Sequence, residues 1–541
     1  MKDISSTGSF IDFTLENFIY VDKTEYIPKL VKLKRVFISR PRRFGKSLTL
    51  DTIATLFETG VEPYFKGTWI YDKWTEPTYP VFRLSFLNLD NSSMDLFKKQ
   101  LNSKITEFAN KISVKGYVEK TEPEDSILSL LEKLEEETRQ IVILIDEYDY
   151  QLTSNINNDE LYKQFQQKIK RIYANIKDKF AIKFLGITGV TRLKDVAIFS
   201  VGSDIRDITN SSAYSQMIGF TRDEIKKFYI DYLKLAASYE NNCNVDEVTD
   251  TQIESLLDRL AQNYDGYCFD EFYKKKVFST WSVNSFFQSI VENKFVFFDE
   301  YWYDNGGLPS ILVNYLKTHE LNIFEYLDKD KFLKVSSDDF KNPTALTTIN
   351  QNVLMCQTGY LTLRSDLKKS STVLLAIPNG EIYKALNRLL ANNIFKGKAD
   401  VTDDQGKNLL EEGTVDDIIN LFNSALNSVS YDNYPIVSES SVQNMLKLYL
   451  LGAHQEVLSE VHEAKGRADL IVNTDIRRIV FEFKYAQNES EAKIKLSEAV
   501  EQIKSRDYGN ILPKKHGLLR IAAVFNADPK VRAFTENQIV P

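Results

Sequence analysis

The sequence predicts an α/β protein that has a parallel sheet in its N-terminal part and a smaller α/β domain at its C-terminus. Three observations predict this class. Strand-like apolar runs alternate with helical patterns over the first 200 residues, a basic loop ending in Gly-Lys-Ser joins one such run to a helix, and a hairpin with one polar face is centred near residue 475. Alternating strands and helices are typical of a parallel sheet with helices on both faces.

Four apolar runs in the N-terminal part have the length and composition of buried strands. Helical patterns separate these runs, which are Arg35–Ser39, Val81–Leu87, Ile141–Ile145 and Lys183–Ile187. From about residue 220 the pattern becomes helical, and the capping box between Thr221 and Glu224 predicts a helix that runs to about Ala237.

The pattern changes divide the chain into four predicted parts. They are a sheet domain over 1–215, a helical lid over 216–330, a mixed α and β connecting region over 331–427, and a C-terminal domain over 428–541. The chain has 541 residues, which suits two to four domains.

The loop after the first predicted strand has the composition of a phosphate-binding P-loop. Residues 40–47 read RPRRFGKS, and the helical stretch Leu48–Phe57 follows. In this strand–loop–helix context, backbone N–H groups and the helix N-terminus would cradle the phosphates of ATP. Lys46 would reach the β- and γ-phosphates, and Ser47 would bind Mg²⁺.

The remaining loop residues are candidates for the same nucleotide site, and one of them departs from the pattern. The candidates are Arg42, Arg43, Phe44 and Gly45. Arg40 stands where a P-loop has its first glycine, and a side chain there restricts the turn of the loop.

Acidic and polar residues follow the next two strands of the predicted sheet. Asp146 and Glu147 come directly after the strand Ile141–Ile145, which is a Walker B arrangement. Asp146 would hold Mg²⁺, and Glu147 would polarise the attacking water. On the last strand, Thr188 is a candidate polar sensor and Arg192 a candidate γ-phosphate sensor, although Arg192 could instead pair with a carboxylate.

A β-hairpin is predicted near the C-terminus, with its turn between Asp475 and Ile476. In that register the numbers of paired residues add to 951, so Asp469 lies opposite Glu482. Directly paired residues share a face, with Cβ atoms roughly 4.5–5.5 Å apart, and Lys484 lies on that face too. The other face predicts a core and carries Ala468, Leu470, Val472, Ile479, Phe481 and Phe483.

Two opposed carboxylates destabilise a sheet unless a cation offsets their repulsion. Asp469 and Glu482 are therefore candidate ligands of Mg²⁺ or Mn²⁺, which prefer oxygen donors. Such a metal lowers the pKa of a bound water and stabilises a pentavalent phosphate. Lys484 would orient that water or balance the developing charge. The alternative is an amphipathic hairpin whose polar face is solvated.

The sequence around this hairpin, over about residues 430–535, resembles the PD-(D/E)XK nuclease superfamily. The matching motifs are Gly466-Arg467-Ala468-Asp469 and Phe481-Glu482-Phe483-Lys484. The resemblance implies a further Glu on a helix that precedes the hairpin. Glu439, at the start of the helical stretch Ser440–Leu451, is the candidate, and Glu460 is the open alternative.

The same resemblance implies a helix after the hairpin with a Gln-Ile pair and a later Tyr. Gln502, Ile503 and Tyr508 match it, and Gln502 joins the catalytic candidates.

The P-loop segment in turn resembles the AAA-ATPase-like family that bacteria fuse to this type of nuclease. Further matches over about residues 10–390 are Tyr20-Val21-Asp22-Lys23-Thr24, Tyr79-Pro80-Val81, Ile187-Thr188-Gly189-Val190, Tyr264-Asp265-Gly266-Tyr267 and Ile377-Pro378-Asn379. That family also lacks the first glycine of the P-loop, so the resemblance implies that Arg40 is a family trait.

Together these patterns predict an ATP-binding enzyme with a metal-dependent nuclease domain that cleaves DNA or RNA, the ATPase gating or positioning the nuclease. One alternative is a regulatory ATPase of the signal-transduction type whose nuclease-like domain only binds nucleic acid or a partner. A second is a nucleotide-switched assembly module. The complete set of Asp469, Glu482 and Lys484 favours the nuclease.

Composition narrows the partners and the compartment. The net charge is −8, but residues 501–541 carry a net charge of +3, which suits contacts with phosphates. We expect nucleic acid as the partner, DNA rather than RNA, and we leave a homo-oligomer open. No apolar run approaches 18 residues and the N-terminus lacks the pattern of a signal peptide, so no membrane contact is expected. Three isolated cysteines fit a reducing cytoplasm.

Overall fold

The structure is a computed structural model, and it describes residues 1–193, 204–304, 310–316, 319, 322–343, 345–395, 404–463, 466–509 and 517–541. The chain forms two compact units. The first comprises Met1–Leu321 and Phe332–Ile382, and the second comprises Asn322–Lys331 and Tyr383–Pro541. The four-part division expected from the sequence stays a prediction.

The described helices are α1 (Phe10–Leu15), α2 (Ile27–Leu33), α3 (Lys46–Thr59), α4 (Met94–Lys111), α5 (Pro123–Glu136), α6 (Tyr150–Ser154), α7 (Asp159–Ile176), α8 (Arg222–Phe228), α9 (Ile230–Asn241), α10 (Asp250–Tyr264), α11 (Thr280–Asn293), α12 (Tyr301–Asp304), α13 (Ser310–Leu316), α14 (Ser337–Lys341), α15 (Gln351–Thr358), α16 (Gly380–Ile394), α17 (Asp404–Glu412), α18 (Val415–Leu426), α19 (Glu439–Gly452) and α20 (Glu489–Arg506). None of them is long and apolar enough to cross a membrane.

The described strands are β1 (Arg35–Ser39), β2 (Val81–Ser85), β3 (Ile141–Asp146), β4 (Ile182–Gly189), β5 (Arg206–Asp207), β6 (Leu333–Ser336), β7 (Thr362–Leu363), β8 (Thr372–Ala376), β9 (Glu456–Glu463), β10 (Gly466–Asn473), β11 (Arg477–Ala486), β12 (Gly517–Asn526) and β13 (Ala533–Ile539).

The first unit is built on a parallel five-stranded sheet with the strand order β2-β3-β4-β1-β5. The predicted parallel α/β sheet and its four strands are confirmed, with changes of boundary: β3 continues to Asp146, and β4 runs from Ile182 to Gly189. The second strand ends at Ser85, and Phe86–Asn88 form a turn of 3₁₀-helix, because the chain leaves the sheet there. The strands of this sheet are nearly continuous apolar runs because helices cover both faces.

The helical region begins with the predicted capping box, in which the Thr221 hydroxyl accepts from the N–H of Glu224. The predicted single helix to Ala237 is wrong in one respect, since the helix is interrupted at Tyr229 and resumes as α9. Tyr229 is buried in an apolar cluster with residues of α10 and α11, and its hydroxyl donates to Asn284. Strands β6, β8 and β7 form a separate small antiparallel sheet.

The second unit is built on a mixed five-stranded sheet with the order β13-β12-β11-β10-β9. The hairpin β10–β11 has the predicted register, since Leu470 pairs with Phe481 and Asn473 pairs with Arg478. The predicted core face is buried throughout, and Phe481 contacts Phe422 of α18.

The sequence predicted that only one face of the hairpin is buried. This prediction is wrong, because the opposite face is also covered. Ile471 and Val480 on that face are buried against Ala499 and Ile503 of α20. The polar residues of the hairpin therefore lie at the border of a second, apolar core layer.

Candidate functional site

The phosphate-binding loop begins where β1 ends at Ser39 and finishes where α3 begins at Lys46. Gly45 is the N-cap of α3 and has a φ of 96°, a left-handed conformation that favours glycine. Arg43 also adopts positive φ, at 67°. The loop thus places the free N–H groups at the start of α3 at the C-terminal edge of the parallel sheet, where phosphates bind.

Lys46 is only 6% exposed and turns back onto its own loop. Its Nζ donates to the carbonyl oxygens of Arg40 and Pro41, at 2.9 Å each. Burial lowers the pKa of the Lys46 ammonium, although Asp146 and Glu147 oppose that shift. The ammonium is therefore held next to the phosphate-binding N–H groups by bonds that a phosphate could replace.

Three side chains from three elements meet at the end of β3. The Ser47 hydroxyl donates to one carboxylate oxygen of Asp146 at 2.6 Å, and the Thr188 hydroxyl donates to the other. Ser47 lies on α3 and Thr188 on β4, so the parallel strand order brings these predicted residues together. A hydroxyl beside an Asp at this edge is the donor set that Mg²⁺ takes in nucleotide sites.

Glu147 follows Asp146 in a left-handed conformation, with a φ of 52°. One of its carboxylate oxygens is buried and has no hydrogen-bond partner among the described residues. Burial and the neighbouring Asp146 raise the pKa of Glu147. Arg42 lines the same small cavity as Glu147.

Arg192 lies beside a carboxylate, the alternative that the sequence left open. Its Nε donates to Asp207 of β5, and its guanidinium also donates to the carbonyl of Lys341 at 2.6 Å. A role as γ-phosphate sensor would require Arg192 to leave this ion pair.

Arg40 is accommodated because its side chain points away from the loop into the protein. It is 1% exposed, its Nη1 donates to the carbonyl oxygens of Ser39 and Thr209 at 2.8 and 2.7 Å, and its guanidinium lies 4.0 Å from the Phe269 ring centre. Burial lowers its pKa to about 9, with Asp207 opposing the shift. No motif or pattern in the sequence predicted this anchor.

The other two predicted loop side chains are also anchored. The Arg43 guanidinium stacks over Trp281 at 4.2 Å, and the Arg43 carbonyl accepts from the Thr280 hydroxyl at 2.9 Å. The Phe44 ring is 1% exposed and packs edge-on against Tyr267 and Trp302. Arg43 and Phe44 are thus held by aromatic contacts within the first unit.

A cavity of about 150 Å³ lies directly beside the loop and was missed by sequence reasoning. Its lining includes Gly45 and Thr49, the rings of Tyr20 and Tyr26 from the N-terminal segment, and Trp281. The only sequence signal was the motif at residues 20–24, which carried no role by itself.

In the second unit, Asp469 and Glu482 are the residues next to the last observed pair of the hairpin, Leu470 and Phe481. One carboxylate oxygen of Asp469 accepts from the backbone N–H of Phe483 at 2.8 Å. Because Phe483 follows Glu482 directly, this bond fixes Asp469 beside the start of the Glu-Phe-Lys run.

Glu482 is buried, and only one of its two carboxylate oxygens has a hydrogen-bond partner among the described residues. Its side chain is 1% exposed, one oxygen accepts from Lys484, and the other has no hydrogen-bond partner among the described residues. Burial, with a smaller contribution from Asp469, raises the pKa of Glu482 to about 7. A buried carboxylate oxygen without a donor is costly and suits a cation.

Lys484 lies between two carboxylates. Its Nζ is 2.7 Å from Glu482 and 3.6 Å from Glu439. Burial opposes the charge on Lys484, but Glu482 and then Glu439 outweigh it and raise the pKa of the ammonium. Glu439 is the first residue of α19, whose N-cap is Ser438, so the helix start brings the predicted acid to the hairpin.

Two further candidates are placed less directly. Gln502 lies on α20, the helix that covers this face of the hairpin, and donates to the hydroxyl of Tyr508 at 3.3 Å. Tyr508 is fully buried. Glu460, the alternative to Glu439, lies on β9, but its side chain is outside the described residues.

The donor set of the hairpin fits a divalent cation that also takes ligands from solvent or substrate. No group of three His, Cys, Asp or Glu side chains in the described part of the chain forms a closed metal cage. Asp469 and Glu482 supply two carboxylates, one with a free buried oxygen. Magnesium keeps several waters and binds through one or two carboxylates in many phosphate-handling sites, so two protein ligands suffice.

Comparison with known proteins assigns both domains. Residues 5–199 match the family model described as a predicted AAA-ATPase, and residues 437–534 match the PD-(D/E)XK nuclease superfamily. The first match contains Lys46, Asp146 and Thr188, and the second contains Asp469 and Glu482. The fusion that the sequence resembled is thereby confirmed.

One curated relative and two solved structures are similar to the chain. An uncharacterized protein in the vnfD 5′ region of Azotobacter chroococcum mcd 1 is 26% identical over 510 residues, which are 92% of this chain and 90% of that protein.

The two structures are Cdc6p from Pyrobaculum aerophilum and the Aeropyrum pernix ORC1 protein in complex with DNA. They have identities of 11% and 10% and TM-scores of 0.23 and 0.25. The alignments cover 68% and 71% of this chain and 93% and 98% of those chains. At these scores the likeness carries no inference about function.

Proposed function

We propose that this chain, which joins an AAA-ATPase-like domain to a PD-(D/E)XK nuclease superfamily domain, is a divalent-metal-dependent nuclease under the control of a nucleotide. The observation that carries the nuclease is Glu482, which is 1% exposed beside Asp469 and has one buried oxygen with no hydrogen-bond partner among the described residues. A merely structural hairpin could gain stability by replacing the buried pair of Glu482 and Lys484 with apolar residues.

Asp469 and Glu482 would hold Mg²⁺ or Mn²⁺, with Glu439 as a further acid at the start of α19. When bound, the metal lowers the pKa of a water and polarises a phosphodiester. Glu482 contributes a carboxylate that the protein only partly neutralises, because Lys484 occupies one oxygen alone. Asp469 is fixed by the N–H of Phe483 and so presents its carboxylate in a defined orientation.

Lys484 would act on the chemical step. Two carboxylates keep its ammonium protonated, since they raise its pKa against the effect of burial. It is therefore a permanent positive charge next to the proposed metal ligands. Such a charge stabilises the negative charge that develops on a phosphate in the transition state, or orients the attacking water by a hydrogen bond.

The first unit would bind ATP with Mg²⁺. The N–H groups at the start of α3 and the Lys46 ammonium would hold the phosphates, while Ser47 and Asp146 would hold the metal. Glu147, whose raised pKa reflects burial and Asp146, would accept the proton of the attacking water. The cavity beside Gly45, lined by Tyr20 and Tyr26, suits the base.

Nucleotide state would control cleavage, because one chain carries both activities. The substrate is nucleic acid, with DNA favoured over RNA. The test is incubation of the purified chain with plasmid, single-stranded DNA and RNA, with Mg²⁺ or Mn²⁺, with or without ATP. Cleavage that needs the metal and is lost in Asp469→Asn supports the proposal. Metal-dependent binding without cleavage would instead favour the regulatory reading.

A further inference from the structure

A basic groove runs along the edge of the five-stranded sheet opposite the phosphate-binding loop. It has a volume of about 820 Å³, and its lining includes Arg35 at the start of β1 and Ile182 at the start of β4. The phosphate-binding loop follows the other end of β1, five residues away. A strand of that length spans roughly 17 Å, so the groove is separate from the nucleotide site.

The groove carries an excess of positive charge that nearby acids do not cancel. Its cationic residues are Lys32, Lys34, Arg35, Lys73, Lys179 and Lys183, against Glu76 and Asp178. Arg35 is paired with Asp204 at 3.0 Å, and Lys183 is paired with Glu76 at 2.6 Å. The other four lysines form no ion pair with a carboxylate in the described part of the chain. The whole chain has a net charge of −8, so this excess is local.

Aromatic side chains accompany these lysines. Phe180 lines the groove and is 60% exposed, so its ring is accessible from solvent. Trp74 lines it as well, whereas the Lys73 ammonium donates to the carbonyl oxygen of Trp69, a residue outside the groove lining, at 2.9 Å. Cationic grooves with exposed aromatic rings bind single-stranded nucleic acid, because the cations contact phosphates and the rings stack on bases.

We propose that this groove binds a single-stranded segment of nucleic acid, with Lys32, Lys34, Lys73 and Lys179 on its phosphates and Phe180 against a base. The choice of nucleic acid among polyanions rests on the proposed function. The concave shape and the exposed ring favour a single strand, since a duplex buries the base faces that Phe180 would contact. Nucleic acid would thus be held by the unit that does not carry the nuclease motif.

The test measures binding without cleavage. The full chain carries Asp469→Ala in every sample, contains no divalent metal, and is titrated with a fluorescent single-stranded oligonucleotide over a range of salt. The variant adds Lys32→Gln, Lys73→Gln and Lys179→Gln, leaving Lys34 because of its φ of 62°. The control adds Lys99→Gln, Lys163→Gln and Lys170→Gln on α4 and α7, which are exposed and do not line the groove.

Each lost phosphate contact removes about 0.7 from the slope of log K against log salt for a single strand. We expect the groove variant to lose about 2 in slope and roughly a hundredfold in affinity near 0.1 M salt, while the control changes neither. Equal slopes in the two variants would overturn the proposal. So would tighter binding of duplex than of single strand, or displacement by polyglutamate as effective as by an oligonucleotide of equal charge.

A second measurement does not depend on the variant folding. In the Asp469→Ala chain, bound oligonucleotide should protect Lys32, Lys73 and Lys179 from acetylation and leave Lys99 and Lys163 reactive. Equal protection of both groups would refute the groove. A wrong nuclease proposal gives a different result. The wild-type chain would then not cleave nucleic acid, while the groove variant would still show a smaller salt slope than the control.

Discussion

The two candidate sites both place a lysine near carboxylates, but the lysine has different hydrogen-bond partners in the two sites. In the first unit, Lys46 donates to two backbone carbonyls and both oxygens of Asp146 accept hydroxyl hydrogen bonds, while one buried oxygen of Glu147 has no partner among the described residues. In the second unit, Glu482 keeps a buried oxygen with no partner among the described residues, and Lys484 has to serve two carboxylates.

The difference follows from what the sites are made of. A phosphate-binding loop uses backbone N–H groups and neutral hydroxyls, which can exchange partners within the protein when no ligand is bound. Among the described residues, the hairpin site places Asp469, Glu482 and Glu439 around the ammonium of Lys484. We therefore expect divalent metal to matter most for the second unit and nucleotide for the first.

Removal of the hairpin carboxylates should have the largest effect. Asp469→Asn and Glu482→Gln should each lower cleavage by more than about a hundredfold, because each removes a charge that would hold the metal. Calorimetry should show metal binding lost in each variant.

The control for these variants is Glu489→Gln, an exposed acid on α20 that pairs with Lys493 at 2.9 Å. It should cleave and bind metal like the wild type. If both hairpin variants cleave at the wild-type rate, Asp469 and Glu482 do not bind a metal that is needed for cleavage.

Substitution of Lys484 should separate chemistry from binding. Lys484→Met should cleave roughly a hundredfold more slowly at saturating substrate, because a positive charge next to the phosphate is lost. Metal and nucleic-acid affinity should be retained, as measured by calorimetry and anisotropy. Lys493→Met on α20, which is 63% exposed, is the matched control. A variant that cleaves normally once saturated would make Lys484 a binding residue.

Loss of Lys46 should affect only the first unit. Lys46→Ala should weaken ATP binding by about 10- to 100-fold, as expected for loss of a charged hydrogen bond. Glu147→Gln should bind ATP and fail to hydrolyse it, because only the water-activating carboxylate is changed. Nucleotide binding and phosphate release provide the readouts. If neither variant differs from the wild type, we would conclude that Arg40 prevents the loop from binding ATP. That result would favour the alternative of a regulatory protein whose nuclease-like domain only binds nucleic acid or a partner.

Glu381 is a buried carboxylate that differs from Glu482 because both of its oxygens accept hydrogen bonds. We expect it to make the stability of the protein depend on pH. Glu381 is 2% exposed, accepts from Ser282 and from the N–H of Trp302 at 2.8 Å each, and burial raises its pKa to about 8. The folded state therefore keeps a proton that the unfolded state has lost above about pH 4.5.

The contribution of Glu381 to the free energy of unfolding is fully present below about pH 4.5. It is lost as the pH rises toward and through about 8. The slope should reach about 1.4 kcal/mol per pH unit and be smaller in Glu381→Gln, and Mg²⁺ should not restore the loss. Melting curves of both proteins between about pH 5.5 and 8.5 test this. A slope that is the same in both proteins would show that Glu381 does not titrate in this range.

Coupling between the two activities should be the smallest effect. Glu147→Gln with ATP represents the bound state and Lys46→Ala the empty state, and their cleavage rates should differ by at least about fivefold. A fragment from Tyr383 onward, which keeps α17 and α18 of the second unit, serves as the ungated reference. One common rate for all three would mean that the nucleotide does not gate cleavage and serves delivery or assembly instead.

Local patterns were sufficient for much of both sites. The hairpin register followed from the turn position, and the pairing of Leu470 with Phe481 obeys it. The helix that begins at Glu439 and the ends of β1 and β3 also followed from short-range signals. Such signals act within a few residues, which is why the sequence alone could place them.

Other features needed contacts between distant segments. The interruption at Tyr229 occurs where that ring enters a core shared with α11. The anchoring of Arg40 by the Thr209 carbonyl, and the cavity lined by Tyr20 and Trp281, join segments far apart in the chain. No periodicity or motif encodes such pairs.

By itself, the sequence determined the α/β class, the Gly45-Lys46-Ser47 loop and the pairing that brings Asp469 to Glu482. These rest on strand period, turn position and helix caps, which are local. Only the tertiary structure decided that α20 buries the face bearing Glu482, that Arg192 lies beside Asp207, and that Arg40 points inward. Burial and partner choice depend on which distant elements pack together, and they set the charge balance of each site.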